Sequence, residues 1–223
     1  MIAYHGKQET KDAILAQLQG HYDADEIIKG VYWENGKGCA VGCAVHSGEH
    51  VQYETLFGIP ESLARLEDRI FEGLENGKAK EWPLRFMRAV KPGADLALVQ
   101  WQFLHWLITD DKVNPGINHP LVKDAIADVA KLLHAWSKGD PIDASAAASA
   151  ARSAAESAAS AAWSAERSAA ESAASAAWSA ESAAWSAAWS AAASAAESAA
   201  WSAAWSAAYK LMADKLVELL EAA

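Results

Sequence analysis

Pro60-Glu61-Ser62-Leu63-Ala64-Arg65-Leu66-Glu67-Asp68-Arg69-Ile70-Phe71-Glu72-Gly73-Leu74 decides the fold class. Leu63, Leu66, Ile70 and Leu74 recur at steps of three and four, which is one face of an α-helix. Pro60 opens that helix where a missing backbone N–H costs nothing. The same periodicity lies on both sides. Upstream, residues 8–20 place Ala13, Ile14, Leu15 and Leu18 near one face, and Asp23-Ala24-Asp25-Glu26-Ile27-Ile28 predicts a short second helix stopped by Gly30. Downstream, residues 94–108 carry Leu96, Val99, Trp101, Phe103, Leu104, Trp106 and Leu107, too apolar for a surface helix. Residues 119–137 repeat the pattern with Leu121, Val122, Ile126, Val129, Leu132 and Leu133.

One stretch interrupts the helices. Val31-Tyr32-Trp33 and Cys39-Ala40-Val41 flank Glu34-Asn35-Gly36-Lys37, which predicts a β-hairpin or tight loop. At the far end, Lys138-Gly139-Asp140-Pro141-Ile142-Asp143 predicts a tight corner. Gly139 ends one helix in a left-handed conformation, Asp140 caps the next, and Pro141 occupies its first turn. The expected architecture is mainly α. A helical globular domain over residues 1–139, with one short hairpin, precedes a long Ala/Ser-rich helix or helices over residues 140–223.

That second region is compositionally distinct. Residues 144–209 hold 35 Ala and 17 Ser, and six of the eleven Trp: Trp163, Trp178, Trp185, Trp189, Trp201 and Trp205. All seven His, all thirteen Gly and all six Pro precede it. Alanine has the highest helix propensity, so residues 142–222 are expected to be almost wholly helical. A 15-residue block recurs, aligning Arg152 with Arg167, Glu156 with Glu171, and Trp163 with Trp178. The serine spacing, about 3.8 residues, exceeds the helical repeat, so the stripe drifts around a straight rod. Small residues allow close approach of backbones and the Trp rows need a second surface, so self-association is expected.

Charge narrows the partners. Lys+Arg 19 against Asp+Glu 29 gives −10, which disfavours a nucleic-acid backbone. Two cysteines only four residues apart form no disulfide framework, which points to a reducing, cytoplasmic setting. The opening Met1-Ile2-Ala3-Tyr4-His5-Gly6-Lys7 lacks the apolar run of a secretory leader. Serine at every fourth position weakens the repeat as a membrane span, so no membrane partner is expected.

Two constellations carry candidate chemistry. If Gly38–His50 were helical, Cys39, Cys43, His46 and His50 would share a face and could supply a tetrahedral zinc shell. The bland alternative is that the cysteines are small buried hydrophobes. A thiolate at a helix N-terminus with His46 or His50 as base would instead make a nucleophilic enzyme. In the repeat, Arg152 and Arg167 could hold phosphate oxygens while Trp163, Trp178, Trp185 and Trp189 stack on a base. Against that, Arg152–Glu156 and Arg167–Glu171 are ordinary i,i+4 helix pairs. No phosphate-loop, dinucleotide or metalloprotease motif occurs, and no cofactor is expected.

Tyr4-His5-Gly6-Lys7, Asp25-Glu26-Ile27-Ile28-Lys29-Gly30, Tyr32-Trp33, Gly36-Lys37-Gly38-Cys39-Ala40-Val41-Gly42-Cys43, Gly58-Ile59-Pro60, Leu63-Ala64-Arg65-Leu66-Glu67-Asp68 and Ile70-Phe71-Glu72-Gly73-Leu74 together resemble proteins of tailed phages and prophages. The resemblance spans roughly the first 110 residues. The Ala/Ser/Trp tail is weakly similar to that of some bacterial immunity proteins. The resemblance implies a setting, the cytoplasm of an infected bacterium, and no activity. The expectation is a non-enzymatic counter-defence protein that sequesters a host immune component. Its target is a host defence protein, met through its basic surface, or a small anionic signalling nucleotide. A Cys/His-dependent enzyme or metal-binding protein, and a structural or oligomerisation component of a phage, are the alternatives.

Overall fold

A computed structural model describes residues 1–114, 117, 120, 123–141, 204 and 206–223. The chain is mainly α. A short 3-10 turn (Ala3–Gly6) leads into α1 (Gln8–Asp23); β1 (Trp33–Glu34) and β2 (Lys37–Gly38) form an antiparallel hairpin. Then follow α2 (Ala40–Val45), α3 (Gln52–Phe57), α4 (Glu61–Gly73), α5 (Asn76–Ala89), α6 (Val99–Thr109) and α7 (Lys123–Ser137). A last helix covers 206–222.

The core is built by helix faces. Ile14 and Leu18 of α1, Leu63, Ile70 and Phe71 of α4, and Ala79, Trp82, Phe86 and Met87 of α5 are all buried. The short α2, buried along Ala40–Ala44, sits among α1, α4 and α5. Its glycines explain how. A Cβ on Gly42 would lie 1.4 Å from the Tyr32 carbonyl oxygen, and one on Gly38 would lie 2.1 Å from the same atom. Glycine at both positions is what lets the hairpin backbone lie directly on α2.

The N-terminus is pinned into this core. Tyr4 is fully buried, its hydroxyl donating to the Met87 carbonyl at 2.7 Å, and Ile2 bridges Asp95 antiparallel. The far end of the chain also enters it. Tyr209, Ala213, Leu216 and Leu220, spaced by four, three and four, are buried in the same cluster. The Tyr209 ring packs so tightly on Gly73 that a Cβ there would lie 2.3 Å from it. Arg85 and Asp214 pair across the contact at 2.8 Å.

Three details depart from or refine the sequence expectations. Residues 24–29 are not helical: Asp25 adopts φ 57°, and Ile27 bridges Gly38 in parallel. The Ile28 N–H donates to the Gly38 carbonyl and the Gly38 N–H to the Glu26 carbonyl, so the backbone bonds a helix would make are satisfied by β2 instead. The hairpin is tighter than the flanking sequence suggests, turning on Asn35 and Gly36, both at positive φ. Cys39-Ala40-Val41 belongs to the start of α2, not to a strand. Gly139 ends α7 as expected, whereas the helix that Asp140 and Pro141 are expected to open lies outside the described residues. Gly139 has φ 88°, its N–H donates to Trp136, and the Asp140 N–H donates to Ala135, a Schellman closure.

No helix among the described residues is long and apolar enough to cross a membrane.

Candidate functional site

The hairpin arm organises two opposed sites. Side chains of consecutive extended residues point to opposite sides, and Tyr32 and Trp33 do so here. The Tyr32 ring meets His50 edge-on, with centroids 5.6 Å apart, and covers Gly48. The Trp33 ring stacks on His46 at 4.4 Å and meets the edge of His21.

On the Tyr32 side lies an open cleft of about 230 Å³, lined by Gly30, Val31, Tyr32, Cys39, Asp68 and Glu72. Asp68 and Glu72 are one helical turn apart on α4, so both carboxylates face it. The six lining residues include no basic side chain, and the Arg65 charge, one turn before Asp68 on α4, also acts on the Tyr32 hydroxyl. Asp68 uses Oδ2 on His50 Nε2 at 3.4 Å, while its Oδ1 is buried and the Cys39 thiol lies against the carboxylate. Glu72 accepts from the Gly30 N–H at 3.1 Å. The Asp68 charge, with burial second, pushes the Tyr32 hydroxyl above the usual phenol range. Tyr32 itself is half exposed, at 50%. Aromatic surface and two carboxylates suit a cationic group.

Beneath the cleft, Glu67 is fully buried. Tyr53 donates to its Oε2 at 2.6 Å, while Oε1 has no partner. Burial outweighs that hydrogen bond and pushes the carboxyl up to about 8. Glu67 is polar by type, but its position, four after Leu63 and three before Ile70, falls on the apolar face and is the one signal of its burial in the sequence.

The four side chains expected as a zinc shell are not brought together. Helix α2 stops at His46, which takes a left-handed φ of 54°, so the run to His50 is not one helical face. Cys39 caps α2, its Sγ accepting from the Gly42 N–H at 3.5 Å; Cys43 Sγ donates to the Gly38 carbonyl at 3.3 Å. Both are buried and free. Burial raises both thiols, Cys43 to about 12, so neither is a thiolate at neutral pH. His50 turns to Asp68 and His46 to Trp33. Among the described residues, no group of three or more His, Cys, Asp and Glu is disposed to hold a metal. Arg152, Arg167, Trp163, Trp178, Trp185 and Trp189, the expected nucleotide-binding residues, lie outside the described residues.

On the Trp33 side the structure assembles a group the local spacing could not reveal. His21, near the end of α1, and His46, at the end of α2, place their Nε2 atoms 3.0 Å apart. Glu26 holds His21 Nδ1 at 2.6 Å. Gln17 donates to the Cys43 carbonyl at 2.7 Å and lies 3.4 Å from His46 Nε2. Burial, with His21 second, lowers His46 below the usual histidine range.

No family model, curated protein or solved structure matches the chain.

Proposed function

We propose that this is a non-enzymatic binding protein of a tailed phage or prophage that sequesters a component of host immunity, and that the Tyr32 cleft is its recognition site. The observation that carries the recognition site is the pair of carboxylates, Asp68 and Glu72, one helical turn apart in the cleft lining beside the half-exposed Tyr32 ring. A Lys or Arg side chain of a host protein meets these carboxylates through charge-assisted hydrogen bonds. Cation–π contact with Tyr32 adds ~0.5–1 kcal/mol at such a half-exposed site. Protonated, buried thiols support the non-enzymatic side of the reading. The phage setting rests on the sequence resemblance, and self-association on the Trp rows of the repeat.

A small anionic nucleotide is the second target, resting on the repeat of Arg152, Arg167, Trp163 and Trp178 alone. Calorimetry of the full chain with short Lys/Arg-rich peptides and with linear and cyclic nucleotides tests both. Peptide binding that weakens with salt and is lost in Asp68→Asn/Glu72→Gln is the expected result. Peptides that bind wild type and the double variant equally, or not at all, would refute the cleft reading.

A further inference from the structure

We propose that Glu26, His21, His46 and Trp33 form an acid-sensitive latch, closed by one proton shared between two imidazoles, that holds the hairpin arm and the 46–50 loop to α1. The His21 and His46 rings are perpendicular, with centroids 5.3 Å and Nε2 atoms 3.0 Å apart, so the nitrogens meet head-on in a single N–H···N hydrogen bond. Glu26 accepts from His21 Nδ1 at 2.6 Å, and Trp33 stacks on His46 at 4.4 Å while meeting the edge of His21. Four segments therefore close on this one bond: α1, residues 24–29, β1 and the end of α2.

Proton counting makes the bond a switch. With both rings neutral, one Nε2 donates and the other accepts. One added proton leaves the bond intact, since one ring still offers a bare Nε2. A second makes both Nε2 atoms donors and both rings positive, and the 3.0 Å approach then has no acceptor. The groups around the pair do not offset that second charge. Glu26 already faces His21, the Cys43 thiol of α2 is buried and protonated, Asp23 on α1 is held by Gln19 at 2.8 Å, and Gln17 is uncharged. Burial, with His21 second, holds His46 below the ordinary histidine value of 6.5. An opened chain takes that proton first, so the latch is at full strength above 6.5 and weakens as pH falls through it. Two nearby groups act in the opposite sense. His50, on the same loop, faces Asp68 at 3.4 Å, so its charge tightens the loop, and Glu67 keeps its proton in the folded chain. Tyr32 precedes Trp33 on the arm and covers Gly48 of the same loop, so an open latch also loosens that wall of the cleft, whatever the cleft binds.

The test is amide hydrogen exchange of the full chain from ~pH 7.5 to ~pH 5, corrected for the intrinsic pH dependence of exchange. The reporters are the Cys39 N–H, bonded to the Val31 carbonyl, and the His46 N–H, bonded to the Gly42 carbonyl. Opening that takes up one proton should speed both about tenfold per pH unit below 6.5, while the amides of α5 stay protected. His21→Gln and His46→Asn, whose side chain tolerates the left-handed backbone, leave one imidazole facing an amide that turns either its oxygen or its NH2 to it. Each should remove the acid step. Glu26→Gln should move the step to higher pH, because the carboxylate offsets the first positive charge, and this variant keeps the test open if a histidine variant misfolds. Unchanged protection in the wild type at the acid end would overturn the latch. So would an acid step that survives both histidine variants, or one that Glu26→Gln leaves in place.

Discussion

The Tyr53 hydroxyl donates to Oε2 of the Glu67 carboxyl group at 2.6 Å inside a core where both side chains have no exposure. This pair joins α3 to α4 directly beneath the cleft, and its protonation state couples stability to pH.

Glu67 is raised from an ordinary 4.5 to about 8 in the folded chain. Below 4.5 both states hold the proton and the group contributes no slope. Between 4.5 and 8 the unfolded chain releases the proton and the folded chain keeps it, so stability falls as pH rises. The slope from this group is about 1.4 kcal/mol per pH unit. Glu67→Gln preserves the Tyr53 hydrogen bond and removes the titration. Urea unfolding across that window should show the wild type losing stability relative to the variant; parallel curves would contradict a raised Glu67.

Gly42→Ala should destabilise the fold although alanine favours helix. The gain in propensity is ~1 kcal/mol, whereas the new Cβ would lie 1.4 Å from the Tyr32 carbonyl oxygen. Overpacking of that kind costs ~1–3 kcal/mol or more, and it displaces both Tyr32 and Trp33. A net loss in denaturant midpoint is expected, together with loss of the Trp33–His46 stack by fluorescence. A variant as stable as wild type would show that the hairpin does not rest on α2.

Leu216→Ala should cost ~2–5 kcal/mol in one cooperative transition, because Leu216 is wholly buried in the core shared with α4 and α5. Unfolding of the C-terminal helix as a separate, earlier step, leaving the Trp82 signal unchanged, would contradict that docking.

Cys39 and Cys43 should resist iodoacetamide at neutral pH in the native chain and react on unfolding, since both thiols are buried and held protonated. Rapid native labelling at either position would revive the nucleophile reading.

Periodic helices were legible in sequence: Ile14 and Leu18 in α1, and Leu63 and Ile70 in α4, mark the faces the core uses. Gly139 also announced the end of α7, because only a residue free to take φ 88° makes that closure at no cost. Helix α5 was not read. Pro83 sits inside it and Lys78, Lys80 and Glu81 hide the buried face of Ala79, Trp82, Phe86 and Met87. Residues 24–29 were misread as helix because their backbone partner, Gly38, is ten residues ahead and invisible to local periodicity. The same reason hid the imidazole pair: His21 was never a candidate because its partner comes from another helix. The cysteine–histidine spacing misled because it assumed one helix where His46 ends it.

The proposal that this chain sequesters a host defence component through the Tyr32 cleft is tested most directly by phage plating. The full chain is expressed in a panel of bacterial strains, each carrying one defence system that blocks a test phage. Wild type should restore plating in at least one strain, and Asp68→Asn/Glu72→Gln, expressed and folded to the same level, should not. No restoration in any strain, or equal restoration by the double variant, would contradict it.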